Sequence, residues 1–212
     1  SFDVRASLSQ LTTLTALTLE HPWAKSAALT LCPGWLPASL AGLVLEGLCC
    51  NPFQQGGQFP PCLQDLRLDF TCITKAAGAE VLADAEATTA TAREALSWLP
   101  KLPGLTSFEL NGAGLDQAPQ ELTALTGLKR LSLFAAARLG DGAPIQPLLG
   151  MLQLTHLDLG DTWLKEVPVA LLRLPQLQVS LLAGLFCGHM HPGMCGQRLV
   201  VPRCREGCLF AL

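Results

Sequence analysis

The residues with the clearest potential for chemistry lie near the end of the chain, where cysteines and histidines cluster. They are Cys187, His189, His191 and Cys195. Zinc is bound by four nitrogen or sulfur ligands in a tetrahedron, and this segment supplies the right ligand types close together. The spacing Cys-x-His-x-His-x3-Cys is not a common one for zinc, because the usual pairs of closely spaced ligands are missing. These residues are weak metal candidates, and we predict neither a metal nor another cofactor.

A second set of residues has types that could catalyse a reaction. His156 and Asp158 share an outward face of one predicted strand, beside Ser132 of the preceding strand. A Ser-His-Asp arrangement acts only in a defined spatial geometry, whereas these positions belong to a broad open surface. The sequence contains no Gly-x-Ser-x-Gly motif, phosphate loop or dinucleotide fingerprint. We therefore predict that the protein is not an enzyme and that these residues contact a partner.

A repeated leucine pattern predicts the elements that carry these residues. Its unit is leucine, two residues, leucine, one residue, leucine, with occasional replacements. Seven copies begin at Leu14, Leu40, Leu63, Leu105, Leu128, Leu154 and Leu177. These leucines are 26, 23, 42, 23, 26 and 23 residues apart, and a period in the twenties is typical of a solenoid. The alternation of apolar and outward residues predicts one short strand per copy, with one face buried.

Short helical turns are expected between the strands. Pro119, Pro147 and Pro168 follow three of the strands, and proline is tolerated in the first turn of a helix. Segments 118–125 and 167–174 are interpreted as two such turns. The strands then stack, copy on copy, as a parallel sheet.

The copies resemble the leucine-rich repeat family, in particular its intracellular, plant-type and green-algal members, from Leu8 to about Leu182. The resemblance implies an α/β solenoid of about seven repeats over residues 1–182. A curved parallel sheet would form its concave face, with short helices or loops on the convex face. Family members usually place an asparagine three residues after the last strand leucine, where its side chain bonds the turn. That place here holds Pro22, Leu48, Thr71, Ala113, Ala136 and Thr162, so threonine, water or backbone must supply those bonds.

The long interval between the third and fourth copies predicts a helical insertion at about 75–99. The segment is alanine-rich and free of proline, and Pro100 ends it. Apolar or small residues recur there at spacings of three and four, which is helical periodicity. They are Val81, Ala85, Thr88, Ala92, Leu96 and Leu99. Two interpretations stay open: the helix packs on its own solenoid, or it binds a partner.

Residues 183–212 are predicted to be a cysteine-rich cap over the exposed end of the solenoid. Secreted members of the leucine-rich repeat family close this end with disulfides. The resemblance therefore makes disulfide candidates of Cys187, Cys195, Cys204 and Cys208. Free, partly buried thiols are the default alternative, because cysteine also serves as a small hydrophobe. The number of cysteines, nine, is odd, and no obvious framework is followed by Cys32, Cys49, Cys50, Cys62 and Cys72. We favour an intracellular or organellar setting over a secreted one.

Composition and charge exclude two classes of partner. Of the 212 residues 50% are hydrophobic and 15% charged, and the net charge is −3. A nucleic-acid surface needs a concentrated basic patch, and no run of lysine and arginine is present. The longest nearly apolar run, Val179 to Cys187, is far shorter than the roughly 20 residues of a membrane helix. We expect neither nucleic acid as a partner nor a membrane span.

The outward strand residues predict a protein-binding face. They are small and weakly polar in the first two copies and charged in the later ones. Charge complementarity sets specificity between proteins, so a mixed-charge surface suits this role. The predicted contact residues are Arg67, Glu109, Lys129, Arg130, Ser132, His156 and Asp158. In the loop 51–61, Phe53 and Phe59 either anchor a partner or fold under to plug the solenoid.

Together these features predict a non-catalytic protein-interaction scaffold or a structural subunit of a larger assembly. It would bind another protein through the concave sheet and the flanking loops. The alternative is a secreted, receptor-type leucine-rich-repeat domain with a disulfide cap, which recognises a peptide or a glycan. Formed disulfides and an upstream signal peptide would favour that alternative.

Overall fold

The described part of the chain forms a single parallel sheet. A computed structural model describes residues 8, 10–20, 31–48, 52–53, 58–70, 92–135, 145–162, 164 and 168–181. Seven strands lie side by side in the order of the chain. They are β1 (Ala16–Glu20), β2 (Gly42–Glu46), β3 (Asp65–Asp69), β4 (Ser107–Asn111), β5 (Arg130–Ser132), β6 (His156–Asp158) and β7 (Val179–Leu181). The predicted parallel sheet is confirmed, and each strand overlaps one copy of the leucine pattern.

The core lies on one side of this sheet. In β3 and β4, for example, the inward residues Leu68, Phe108 and Leu110 are fully buried. Side chains alternate between the two faces of a strand, so the outward residues between them lie on the opposite side. In β1, which is an edge of the sheet, Leu17 and Leu19 are only partly buried. One face of the sheet is thus committed to the core, and the other is open.

Short helical turns join the strands. In the described connections, 3-10 helices lie at Pro33–Trp35, Leu99–Lys101, Gln120–Ala124 and Leu171–Arg173, and an α-helical turn lies at Gln146–Leu149. Two of them fall within the predicted turns at 118–125 and 167–174. Pro147 occupies the first turn of Gln146–Leu149, where its missing N–H costs no helical hydrogen bond. The sheet and these few helices give the molecule an α/β character.

The described end of the insertion is helical. Residues 92–96 form an α-helix, and Ala92 and Leu96 are fully buried on the core side. The helix ends before the 3-10 helix that contains Pro100. Val81, Ala85 and Thr88 lie outside the described residues, so a helix over 75–91 stays a prediction.

Phe53 and Phe59 fold under and join Trp98 in an aromatic cluster. The ring centroids are 5.0 Å apart between the two phenylalanines, and 6.3 and 5.5 Å from Phe53 and Phe59 to Trp98. Both phenylalanines are buried. Of the two interpretations of this loop, burial is therefore the correct one, and the two rings attach it to the end of the insertion.

The turns after the strands are stabilised without a row of asparagines. Three of the positions three residues after the last strand leucine are described, and their residues Leu48, Ala113 and Thr162 are all buried. The Thr162 hydroxyl donates to the Leu159 carbonyl oxygen at 2.6 Å, and the Leu48 N–H donates to Asp69 at 2.9 Å. A threonine hydroxyl and a backbone N–H thus supply hydrogen bonds in these turns. Both were among the groups predicted to replace the asparagine side chain, together with water. Pro22, Thr71 and Ala136 lie outside the described residues.

The predicted cap also lies outside the described residues. This applies to Cys187, His189, His191, Cys195, Cys204 and Cys208, so their zinc, disulfide and free-thiol interpretations stay predictions. Nowhere in the described part of the chain is there a helix of the length and apolar character needed to cross a membrane.

Candidate functional site

The side of the sheet away from the core, here called the open face, holds the outward residues in straight rows. The middle row is in register from strand to strand and consists of Thr18, Val44, Arg67, Glu109, Ser132 and Asp158. In the row before it, Arg130 pairs with His156 across β5 and β6. Six of the seven predicted contact residues are thus brought together on the open face. The seventh, Lys129, immediately precedes β5 and is exposed.

A hollow of about 350 Å³ lies on this face over β4, β5 and β6. We call it the β4–β6 hollow. Five of the predicted contact residues line it, namely Glu109, Arg130, Ser132, His156 and Asp158. In the middle row Ser132 lies between Glu109 and Asp158, and its short side chain leaves space between the two longer ones.

Two further residues, Asn111 and Phe134, line the hollow and were not predicted from the sequence. Each directly follows the last leucine or equivalent of its copy, so strand alternation returns it to the open face. That position is the signal in the sequence that could have identified both residues. Phe134 is 38% exposed, whereas Asn111 is only 9% exposed.

Gly160 makes room for the Phe134 ring. A Cβ placed on Gly160 would lie 2.8 Å from Phe134 Cδ2 and 3.2 Å from Asp158 Oδ1. The backbone N–H of Gly160 donates to the same Asp158 oxygen at 2.9 Å. The glycine therefore seats the aromatic ring and also orients the carboxylate at the rim of the hollow.

His156 is oriented by its neighbour Thr155. The Thr155 hydroxyl donates its proton to the Lys129 carbonyl oxygen at 2.9 Å and lies 2.9 Å from His156 Nδ1. A hydroxyl has one proton, so Nδ1–H donates to Thr155 and Nε2 is left for another partner. The Asp158 carboxylate accepts a hydrogen bond from the Gly160 backbone N–H and not from His156. His156 and Asp158 therefore lack the hydrogen-bond chain of a catalytic triad, although they lie on one strand.

Arginine 67 is enclosed by carboxylates. Its guanidinium lies 3.7 Å from both Glu46 and Asp69 and 3.6 Å from Glu109. These distances exceed a normal hydrogen bond, and the buried Nε has no hydrogen-bond partner. Arg67 therefore acts as a local counter-charge within the open face and is not available as an independent contact.

The open face carries more acid than base. Arg130 donates to Asp65 at 3.1 Å, so both arginines of the described rows are paired with carboxylates on this face. A third row follows the middle one and contains the carboxylates Glu20, Glu46 and Asp69. The first two rows contain the carboxylates Asp65, Glu109 and Asp158. The sequence indicated a mixed-charge face. With both arginines already engaged, the described face is predominantly acidic toward a partner.

The chain matches no model of a known protein family, and no match is found among curated proteins. Its function is therefore inferred from the geometry and charge of the open face.

Proposed function

We propose that the chain is a leucine-rich-repeat solenoid of about seven repeats that acts as a non-catalytic protein-interaction module. It serves as a scaffold or as a structural subunit of a larger assembly. The repeat assignment is supported by the seven strands, each of which overlaps one leucine copy and pairs with its sequence neighbours. Such stacking is how repeat proteins build an extended binding surface.

The observation that carries the proposal is the ordered row of charged side chains over an open hollow. Adjacent strands lie about 4.8 Å apart, which fixes the spacing of the charges before a partner arrives. Preset charges steer association and discriminate between partners. Because the carboxylates outnumber the arginines, the partner surface is expected to be basic.

The proposal is tested by reversing charge on the open face. We expect Glu109→Lys with Asp158→Lys to weaken capture of partner proteins from the protein's own cells by roughly tenfold or more. Captured proteins are quantified by mass spectrometry against the unmodified chain. The matched control is Glu94→Lys with Glu121→Lys, which makes the same charge change away from the described strands. Equal capture by the two double variants would refute binding through the open face.

Arg67 is left unchanged in this test for a physical reason. An acidic residue there would place a fourth carboxylate among Glu46, Asp69 and Glu109, and the mutual repulsion would destabilise the sheet. The basic residues of the open face are tested instead with Lys129→Glu and Arg130→Glu, because both side chains are exposed and their replacement disturbs the core less. If the partner is basic, this variant is expected to retain capture.

A further inference from the structure

The β4–β6 hollow combines features that suit one planar cation. We propose that it receives the guanidinium group of an arginine side chain of the partner protein, an inference that rests on the proposed interaction function. The guanidinium is thus the chemical group that the open face selects. Its selection depends on an unpaired amide, two carboxylates and an exposed aromatic ring, all in the lining of the hollow.

The unpaired amide belongs to Asn111. This residue is 9% exposed, lies on the open face at the end of β4 and lines the hollow. Within the described structure the Asn111 side chain makes no hydrogen bond, its backbone carbonyl oxygen accepting from Phe70 instead. The amide lies at the lining of the hollow, where it can hydrogen-bond with a ligand. A donor that enters the hollow would satisfy the Asn111 carbonyl oxygen.

The two carboxylates determine the charge of the ligand. Glu109 and Asp158 flank Ser132 from the neighbouring strands, two strand spacings of about 4.8 Å each apart. The Gly160 N–H holds Asp158 Oδ1, which leaves Oδ2 to accept from a ligand. Arg130 pairs with Asp65 and Arg67 lies 3.6 Å from Glu109. No ion pair with Asp158 is found among the described residues, so Asp158 supplies the uncompensated negative charge of the hollow. An anionic ligand is therefore disfavoured here, and a cation is favoured.

The aromatic ring distinguishes arginine from lysine. Phe134 presents an exposed ring beside the carboxylates. A guanidinium is planar, stacks on aromatic faces and carries five N–H donors that reach several acceptors at once. A lysine ammonium is a compact point charge with three donors and cannot stack in the same way. A metal ion is a poorer occupant, because no group of three potential ligands is placed to hold one among the described residues.

The experiment is an NMR titration of the full, 15N-labelled chain with a short peptide, acetyl-glycyl-arginyl-glycine amide. Saturable shifts are expected at the Asn111 side-chain amide and the Gly160 backbone amide. The peptide with citrulline, the neutral analogue of arginine, should bind roughly tenfold or more weakly, because the charge-assisted hydrogen bonds are lost. The lysine peptide should be intermediate. Equal binding of the arginine and citrulline peptides would overturn the proposal, as would tighter binding of free agmatine than of the peptide.

The variants are chosen to keep the fold and to match each other. Glu109→Gln with Asp158→Asn should weaken arginine-peptide binding roughly tenfold or more. Glu20→Gln with Glu46→Gln removes two carboxylates from the same face and should change binding by no more than about twofold. Each pair of substitutions also removes one carboxylate partner of Arg67, which is Glu109 in the first pair and Glu46 in the second. The effect of losing an Arg67 partner is therefore the same in both. Equal weakening by both pairs would indicate general acidity and overturn the hollow as a specific site.

The two proposals fail in different ways. If Glu109→Lys with Asp158→Lys abolishes partner capture but citrulline and arginine peptides bind alike, the arginine assignment is wrong and the interaction function stands. If capture is unaffected by that double variant, binding through the open face is wrong, and the arginine assignment fails with it. Asn111→Leu adds an independent check, since it removes only the amide and should weaken the arginine peptide while leaving the circular dichroism unchanged.

Discussion

The Thr162 hydroxyl makes a buried hydrogen bond in the turn that follows β6. The residue is 1% exposed and donates to the Leu159 carbonyl oxygen at 2.6 Å. We expect Thr162→Val to lower the free energy of unfolding by about 1 kcal/mol, because a buried acceptor loses its donor. Urea denaturation followed by circular dichroism measures the change.

The control for this prediction is Thr123→Val. The Thr123 hydroxyl makes the same contact with the carbonyl oxygen three residues earlier, at 2.7 Å, but is exposed. Water replaces the lost bond there, so the stability should hardly change. Equal losses in the free energy of unfolding of the two variants would show that burial does not determine how much the Thr162 hydrogen bond stabilises the fold.

Gly160 is required by the Phe134 ring. A Cβ at this position would lie 2.8 Å from the ring, so Gly160→Ala should displace Phe134. Since the ring is partly exposed and can rotate toward solvent, we expect a stability loss of only about 1 kcal/mol, the low end for overpacking. Arginine-peptide binding should fall more clearly. Ring contacts measured by NMR, together with urea denaturation, report both effects.

Gly127→Ala is the matched control, because nothing lies within 4 Å of a Cβ at that position. It should leave both stability and peptide binding unchanged. An undisturbed Phe134 ring in Gly160→Ala would contradict the close approach described here.

At the scale of elements, Trp98 attaches the loop with Phe53 and Phe59 to the end of the insertion. It is 7% exposed, and Lys101 Nζ lies 3.8 Å from the centre of its ring. We expect Trp98→Ala to destabilise the protein by about 3–5 kcal/mol, as is typical of buried tryptophans. Trp35→Ala, at a partly buried position, should cost clearly less. Urea denaturation compares the two, and equal losses would count against a packing role for the cluster.

The insertion is also attached through charge. Arg93, in the helical segment 92–96, pairs with Asp116 in the segment after β4. The side-chain hydrogen bond from Arg93 lowers the pKa of Asp116 below its usual 3.8, against the opposing effect of burial. The depressed pKa means that the pair stabilises the folded state above the usual pKa of the carboxyl group. This contribution is lost as the pH falls through the folded-state pKa.

Arg93→Gln should therefore raise the Asp116 pKa toward its usual value. A 13C NMR titration of the carboxyl group measures the shift. Lys101→Gln removes a cation that lies over the Trp98 ring and keeps the Arg93–Asp116 hydrogen bond, so it should leave the Asp116 pKa largely unchanged. An Asp116 pKa that is insensitive to Arg93→Gln would show that the hydrogen bond is not its cause. Both side chains are largely exposed, so the effect on stability should be small.

For the whole molecule, the strand order predicts graded stability. Each strand pairs only with its neighbours in sequence, and β1 and β7 are the edges of the described sheet. We expect backbone amides of β3 and β4 to exchange with solvent at least about tenfold more slowly than those of β1, because edge strands open at lower free energy. Hydrogen exchange followed by NMR measures this. Uniform protection across the strands would contradict the gradient and indicate a single cooperative unit.

Much of the sheet was predictable because its cause is local. The leucine spacing places one short strand in each copy, and strand alternation assigns Arg67, Glu109, Ser132 and Asp158 to the outward side. Their common row was therefore predicted, and the register bears it out. The burial of Phe53 and Phe59 was not predictable, since it depends on Trp98, which lies far along the chain.

The sequence by itself determined the parallel sheet, the inward face and the row of outward residues. Each copy of the leucine pattern encodes the alternation of inward and outward residues, and this cause is local. Only the tertiary structure decided the chemistry of the open face. It pairs Arg67 and Arg130 with carboxylates and seats the Phe134 ring over Gly160. It also brings Asn111 from the end of β4 to the lining of the same hollow. These features join residues from different strands, and side-chain contacts between strands depend on packing that no local pattern specifies.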